Sequence, residues 1–157
     1  MNLVAKRLED LGVALPRPAA PAANYVGAVR AGALLIVSGQ LPFGPDGKLA
    51  AAHVGKLAPG SNVEPAREAA RLCAVNVLAQ AQAALGDLDR IERVVRLGGF
   101  FNVQSSFDAL PLAMNGASDL MMQVFGDRGR HARMTLGVSH VPLDALCAVE
   151  AMFEIAP

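Results

Sequence analysis

Residues 2 to 14 place Leu3, Leu8 and Leu11 among charged neighbours, the spacing of a short amphipathic helix. A Pro/Ala stretch from Pro16 to Ala23 breaks that pattern and reads as a connector. Two short apolar runs follow, Tyr25 to Val29 and Leu34 to Ser38. The Ala31-Gly32 step between them suits a tight hairpin, because glycine reaches the positive φ that such turns demand. From Gly39 to Gly60 the pattern lapses into a long loop with an Asp46-Gly47 turn inside it. Loops of that length often carry function.

Ser61-Asn62-Val63-Glu64 has the form of a capping box ahead of Pro65 to Leu85, a run rich in the good helix formers Ala, Leu, Glu, Arg and Gln. Gly86 suits a C-cap and Asp87 starts a turn. Ile91 to Val103 is β-branched and aromatic and predicts a central strand, and Phe107 to Phe125 predicts a second long helix ending at Gly126. Met134 to Val141 and Ala148 to Ile155 read as two more strands joined by a turn around Pro142 to Ala145. In the last of these, Val149, Ala151, Phe153 and Ile155 alternate with Glu150, Met152 and Glu154. The alternation does not say whether Glu150 and Glu154 face solvent or a pocket. The order α, β-β, α, β, α, β-β predicts an α+β fold with helices on one sheet face. A strip of apolar strand side chains on the other face would need cover, and self-association supplies it economically.

Length and composition narrow the functional classes. The 157 residues and 16.3 kDa suit one domain over 1–157, with 1–19 as N-terminal helix and connector. The hydrophobic fraction is 53%, but 29 residues are alanine, which leaves an ordinary share of larger core-formers. The longest apolar stretch, Ala31 to Val37, contains Gly32 and falls far short of the roughly 18 residues a spanning helix needs, so no membrane role is expected. With 14 basic and 14 acidic residues the net charge is zero, and nucleic acid is not demanded as a partner. Mixed charges in Met1 to Asp10 do not resemble an export signal, so a cytoplasmic location is expected. Cys73 and Cys147 show neither C-x-x-C nor zinc-ligand spacing and are expected to pack as small apolar residues.

Arg133 is the most informative single residue, entering a predicted strand before an apolar run. It could snorkel or pair with an acid; alternatively, its planar fork could clamp a carboxylate bidentately, which Lys could not. Tyr25, the one tyrosine in a chain without tryptophan, could orient a ligand through its hydroxyl or be a half-buried strand aromatic. Ser38-Gly39-Gln40 ends a predicted strand, where Gly39 would let a ligand approach backbone amides and Ser38 could donate a hydrogen bond; a plain turn fits equally. His53, His131 and His140 lack metal-binding spacing, and neither a G-x-S-x-G elbow, a P-loop nor a G-x-G-x-x-G is present, so no metal or cofactor is expected. Arg128, Arg130, His131 and Arg133 could touch phosphate, but Asp127 sits among them and no aromatic platform for bases accompanies them. A solvated loop is the expected reading.

Several strings taken in order resemble the RidA/YjgF family, whose members include enamine/imine deaminases and which was earlier labelled an L-PSP endoribonuclease family. They are Asn24-Tyr25-Val26, Leu35 to Pro42 containing Ser38-Gly39-Gln40, Gly86-Asp87-Leu88, Asn115 to Leu120, His131-Ala132-Arg133, Pro142 and Val149-Glu150-Ala151. The likeness runs from about residue 20 to 156, and the N-terminal segment with the N-G-A-S-D-L string resembles a longer-chain branch. It implies a chorismate-mutase-like fold and a homotrimer whose sheets form a central barrel, with three clefts between neighbouring chains. It also implies that Arg133 grips a substrate carboxylate, that Tyr25, Ser38 and Gly39 shape the pocket, and that Asn115 lies near it. In active deaminases an acidic residue two positions before the glutamate matched by Glu150 positions water; here that position is Ala148. The family's frequent pocket Cys, two residues after the Arg, is Thr135. The expected function is binding of a small carboxylate metabolite with hydrolysis of 2-imino or enamine acids to 2-keto acids and ammonia. The alternatives are a non-catalytic metabolite-binding trimer and, least supported, an endoribonuclease.

Overall fold

The computed structural model describes residues 2–156. Helix α1 (Leu3–Asp10) is short, as its pattern predicts, and owes its start to two side chains. Asn2 Oδ1 accepts from the Ala5 amide at 3.0 Å, and the Asp89 carboxylate accepts from the Leu3 and Val4 amides at 2.7 and 3.1 Å. Together they satisfy donors that a helix N-terminus leaves free. Val4 and Leu8, one turn apart, bury the inner face.

Strand β1 (Ala28–Ala31) pairs with β2 (Leu34–Gln40) across the Gly32 turn, where φ is +59°. The hairpin is present, but Tyr25 lies before it and belongs to no strand. Helix α2 (Glu64–Leu85) runs to Gly86, whose left-handed φ of 76° and N–H to Gln82 O close it as a C-cap. Its start departs from the capping-box expectation. Ser61 Oγ accepts from Ala58 N instead, and Asn62 Oδ1 takes the Glu64 amide, so the cap position falls on Val63 without a side-chain bond. Strand β3 (Ile91–Asn102), helix α3 (Leu110–Phe125), strand β4 (Ala132–Val138) and strand β5 (Cys147–Ile155) complete the chain.

The sheet order is β1-β2-β5-β3-β4. Pro142 to Ala145 therefore does not make a hairpin of the last two strands: β3 lies between them, and β4 runs parallel to β3, reached by the α3 crossover. β5, alternating between core and open face, fills the middle of the sheet antiparallel to both β2 and β3. Its inward side chains (Val149, Ala151, Phe153, Ile155) meet α2 and α3, which pack on one sheet face. The two helices cross closely at Gly116, where a Cβ would lie 1.9 Å from Arg67 O. No helix among the described residues is long and apolar enough to cross a membrane.

The open face is more mixed than expected. Val29, Ile36, Met134 and Leu136 are exposed toward its two edges. Between them Glu150 pairs with Arg96 at 2.9 Å and Glu154 with Arg93 at 3.9 Å. Gly98, opposite Glu150, leaves the room that side chain occupies.

Candidate functional site

Arg133 is the second residue of the edge strand β4, and its side chain reaches onto α3. Nη1 donates to Asn115 Oδ1 at 2.8 Å and to Ser118 Oγ at 3.0 Å, and Nη2 donates to Pro111 O at 3.1 Å. Positions 111, 115 and 118 are spaced by four and three, so one helix face presents all three acceptors. Ser118 is oriented in turn by His131. His131 Nδ1 lies 2.6 Å from Gly129 O, a carbonyl that can only accept, so Nδ1 carries a proton. In the neutral ring Nε2 then accepts the Ser118 hydroxyl proton across 3.0 Å. A guanidinium offers five N–H donors. Three are committed, and the two without a partner among the described residues, on Nε and Nη2, are the number one carboxylate takes.

The Asn115 to Leu120 string thus divides its work residue by residue. Asn115 and Ser118 hold Arg133, Gly116 admits α2, Ala117 and Leu120 are core, and Asp119 pairs with Arg67 at 2.9 Å. Thr135 follows Arg133 by two on the same strand, and its Oγ1 is buried without a partner among the described residues.

A second group of candidate residues surrounds a cavity of about 830 Å³ at the other side of the sheet. Tyr25, Gly39 and Ala148 line it. Tyr25 is half exposed at 51%, so its ring does not close the cavity within one chain. The Ser38 hydroxyl donates to Val26 O at 2.7 Å, so its proton is spent on holding the Tyr25 loop to β2. Glu150 joins neither group, since its carboxylate is tied to Arg96 on the open face. Along the sheet, β2 and β4 are separated by β5 and β3, three strand spacings of about 4.8 Å each. One chain alone does not bring Tyr25 and Arg133 to the same small ligand.

Two sets of roles escaped sequence reasoning. Ser118 and His131 complete the Arg133 support, and Ser118's place one turn beyond Asn115 is the signal that points to it. Asn76 and Gln80 form the cavity floor; they are polar residues four apart inside the buried α2 stretch Cys73 to Ala81. Buried amides in such a run ask for partners.

The remaining candidates resolve into structure. Arg128 donates to Ile91 O at 2.8 Å, and Arg130 lies exposed 3.4 Å from Asp127, so the basic cluster carries its own counter-charge. His53 is buried, with Nε2 3.7 Å from Glu68 and Nδ1 unpartnered among the described residues. No group of three His, Cys, Asp or Glu able to hold a metal occurs among the described residues. Cys73 and Cys147, distant in sequence, lie side by side with their sulfurs 3.7 Å apart in the core. Burial, then the neighbouring Cys147, pushes the Cys73 thiol well above its usual pKa.

Residues 5–155 match the family model described as "YjgF/chorismate_mutase-like, putative endoribonuclease". The chain belongs to the YjgF/chorismate mutase-like family. Protein TCP17 of Trypanosoma cruzi is 47% identical over 153 residues, covering 97% of this chain and 94% of that protein. A solved YjgF-like structure from Shewanella oneidensis, called a "putative endoribonuclease", is 38% identical with a TM-score of 0.92, covering 98% of this chain and all of that one. Escherichia coli TdcF, solved with bound serine, shares the YjgF fold at 20% identity and a TM-score of 0.63, over 89% of this chain and 94% of its own.

Proposed function

We propose that this YjgF-family chain binds a small 2-keto or 2-imino acid in a cleft between neighbouring copies of a homotrimer. The observation that carries the reading is the Arg133 guanidinium, pinned to α3 by three N–H groups and left with two that have no partner among the described residues. A fork fixed before the ligand arrives loses little freedom on binding and matches a carboxylate in shape and charge. Arg133 of one copy would meet the Tyr25, Ser38 and Gly39 rim of the next, which removes the three-strand separation. Asn115 holds the fork, Thr135 follows Arg133 by two on the same strand with its Oγ1 buried, and Glu150 braces the neighbouring face through Arg96. The apolar residues at the edges of the open sheet face favour such an assembly. TdcF with serine supplies a parallel, since serine, like a 2-imino acid, carries its carboxylate on the carbon that bears nitrogen.

In hydrolysis, water adds to the C=N carbon, and the resulting carbinolamine expels ammonia as a proton moves to nitrogen, leaving the 2-keto acid. A positioned acid or base normally speeds such a step by roughly 10²- to 10⁴-fold. Ala148 lines the cavity where the family's water-positioning acid would stand, and the next carboxylate on that face, Glu150, is engaged by Arg96. That departure favours a second reading, a metabolite-binding trimer with weak or no turnover. Ribonuclease action has less support, because Arg128 is engaged by Ile91 O, Asp127 sits beside Arg130, and the chain has no net charge.

Two measurements test the proposal. Calorimetry should show pyruvate binding, and ammonia release from freshly generated imines, with and without protein, should separate catalyst from binder. Light scattering should give about three times the 16.3 kDa chain mass. A monomer at micromolar concentration would remove the shared cleft.

A further inference from the structure

The cavity beside Tyr25 is far larger than a three-carbon acid requires. At about 830 Å³ it falls in the range that holds drug-sized ligands, and a pyruvate-sized molecule would leave most of it to water. One wall is the connector Pro16 to Ala22, and the others include Leu41, Phe43 and Leu143. Apart from Arg17 on the connector and Asp46 on the facing loop, these surfaces are apolar.

The floor is not. Asn76 and Gln80 are 4% and 9% exposed, and both line the cavity from α2. Asn76 Nδ2 donates to Leu41 O, Phe43 O and Leu72 O at 3.3, 2.9 and 3.0 Å. Gln80 Nε2 donates to Ala19 O at 2.9 Å and to Gln40 Oε1 at 3.4 Å, which staples the connector over the cavity. The nitrogens are thereby committed, and the two amides' oxygens accept from no described residue. Acceptors that open on a cavity are ordinarily met by water or by a ligand's donor.

We infer that this cavity receives the side chain of the substrate, and that the substrate is a 2-keto or 2-imino acid with a long, mainly apolar side chain ending in an O–H or N–H donor. The hydroxyphenyl and indolyl groups are of that kind. The inference rests on the proposed grip of Arg133 on the carboxylate. The acid end sits at the Tyr25 and Gly39 rim, the apolar body lies under the connector, and the donor reaches Asn76 Oδ1 and Gln80 Oε1.

Calorimetry on the full chain with pyruvate, phenylpyruvate and 4-hydroxyphenylpyruvate tests it. Phenylpyruvate should bind about 30-fold tighter than pyruvate from the ring area buried, and the hydroxyl should add about fivefold. Gln80→Glu and Gln80→Met both lose the Nε2 bond to Ala19 O and should weaken phenylpyruvate alike, but the hydroxyl preference should persist in Gln80→Glu, which keeps an acceptor, and fall in Gln80→Met, which has none. If the Gln80 variants do not fold, Ala20→Phe, at an exposed wall position, should weaken phenylpyruvate much more than pyruvate. Equal affinity for all three acids would overturn the inference and leave the Arg133 reading standing. Absence of binding by every acid would overturn both.

Discussion

The Arg133 shelf and the cavity beside Tyr25 lie on different parts of the sheet and are held in different ways. At the shelf, one helix face gives three acceptors to a single guanidinium, and His131 fixes one of them, so a charge is oriented by a dense polar network. At the cavity, two amides tie down the backbone of loops, Asn76 at Leu41 and Phe43 and Gln80 at Ala19, and what they preserve is a volume. A direction is held in one place and a space in the other. The difference shows how a fold can separate recognition of a common group, the carboxylate, from recognition of what distinguishes one acid from another.

Removing the direction should have the largest effect. Arg133→Ala should weaken keto-acid binding by about 100-fold or more, and Arg133→Lys by roughly tenfold, since Lys keeps the charge and loses the fork. Calorimetry with both variants giving wild-type affinity would return Arg133 to a purely structural role. Next comes chemistry at the cavity mouth. Ala148→Glu points a carboxylate to the same face as Glu150 and should raise imine hydrolysis by tenfold or more with little change in keto-acid affinity, because the gain belongs to the transition state. Near-ultraviolet circular dichroism must first match wild type, since a half-buried carboxylate costs stability. A folded variant with unchanged rate would show that the missing acid is not what limits turnover.

A smaller effect probes the network behind the shelf. Ser118→Ala removes one of Arg133's three supports and the partner of His131 Nε2, and should lower keto-acid affinity about three- to tenfold. If Ser118→Ala leaves affinity untouched, Arg133 needs no such bracing and the contrast with the cavity weakens. The smallest effect lies where the cavity floor joins the sheet, at Cys73 on α2 and Cys147 on β5. A thiol whose folded pKa is raised stays protonated when the unfolded chain's thiol, near 9.0, ionises. Its stability contribution is complete below that value and is lost as pH rises toward the folded pKa, with a slope of up to about 1.4 kcal/mol per pH unit. Urea midpoints measured from pH 8 to 10.5 should fall less steeply in Cys73→Ala than in wild type.

Much of this was readable in the chain. The long helices and the alternation in β5 follow local periodicity, which packing obeys. The Arg133 and Asn115 positions were legible through the two strings they belong to, yet their 2.8 Å contact was not, because it depends on a crossover that brings α3 over β4. The capping box failed since Ser61 and Asn62 each found a nearer amide. The second hairpin failed because β3 offers β4 a parallel partner that no turn signal records. Asn76 and Gln80 read as ordinary helix residues until the loops they hold are folded against them.

The place of β5 has a consequence for how the chain is made. It follows every other strand in synthesis, yet it occupies the middle of the sheet, between β2 and β3. Before its nine residues emerge from the ribosome, the β1–β2 hairpin and the β3–β4 pair are separate pieces, each with an unpaired inner edge. A chain cut short just upstream of Cys147 would therefore keep both margins unpaired and would be more aggregation-prone than the whole chain.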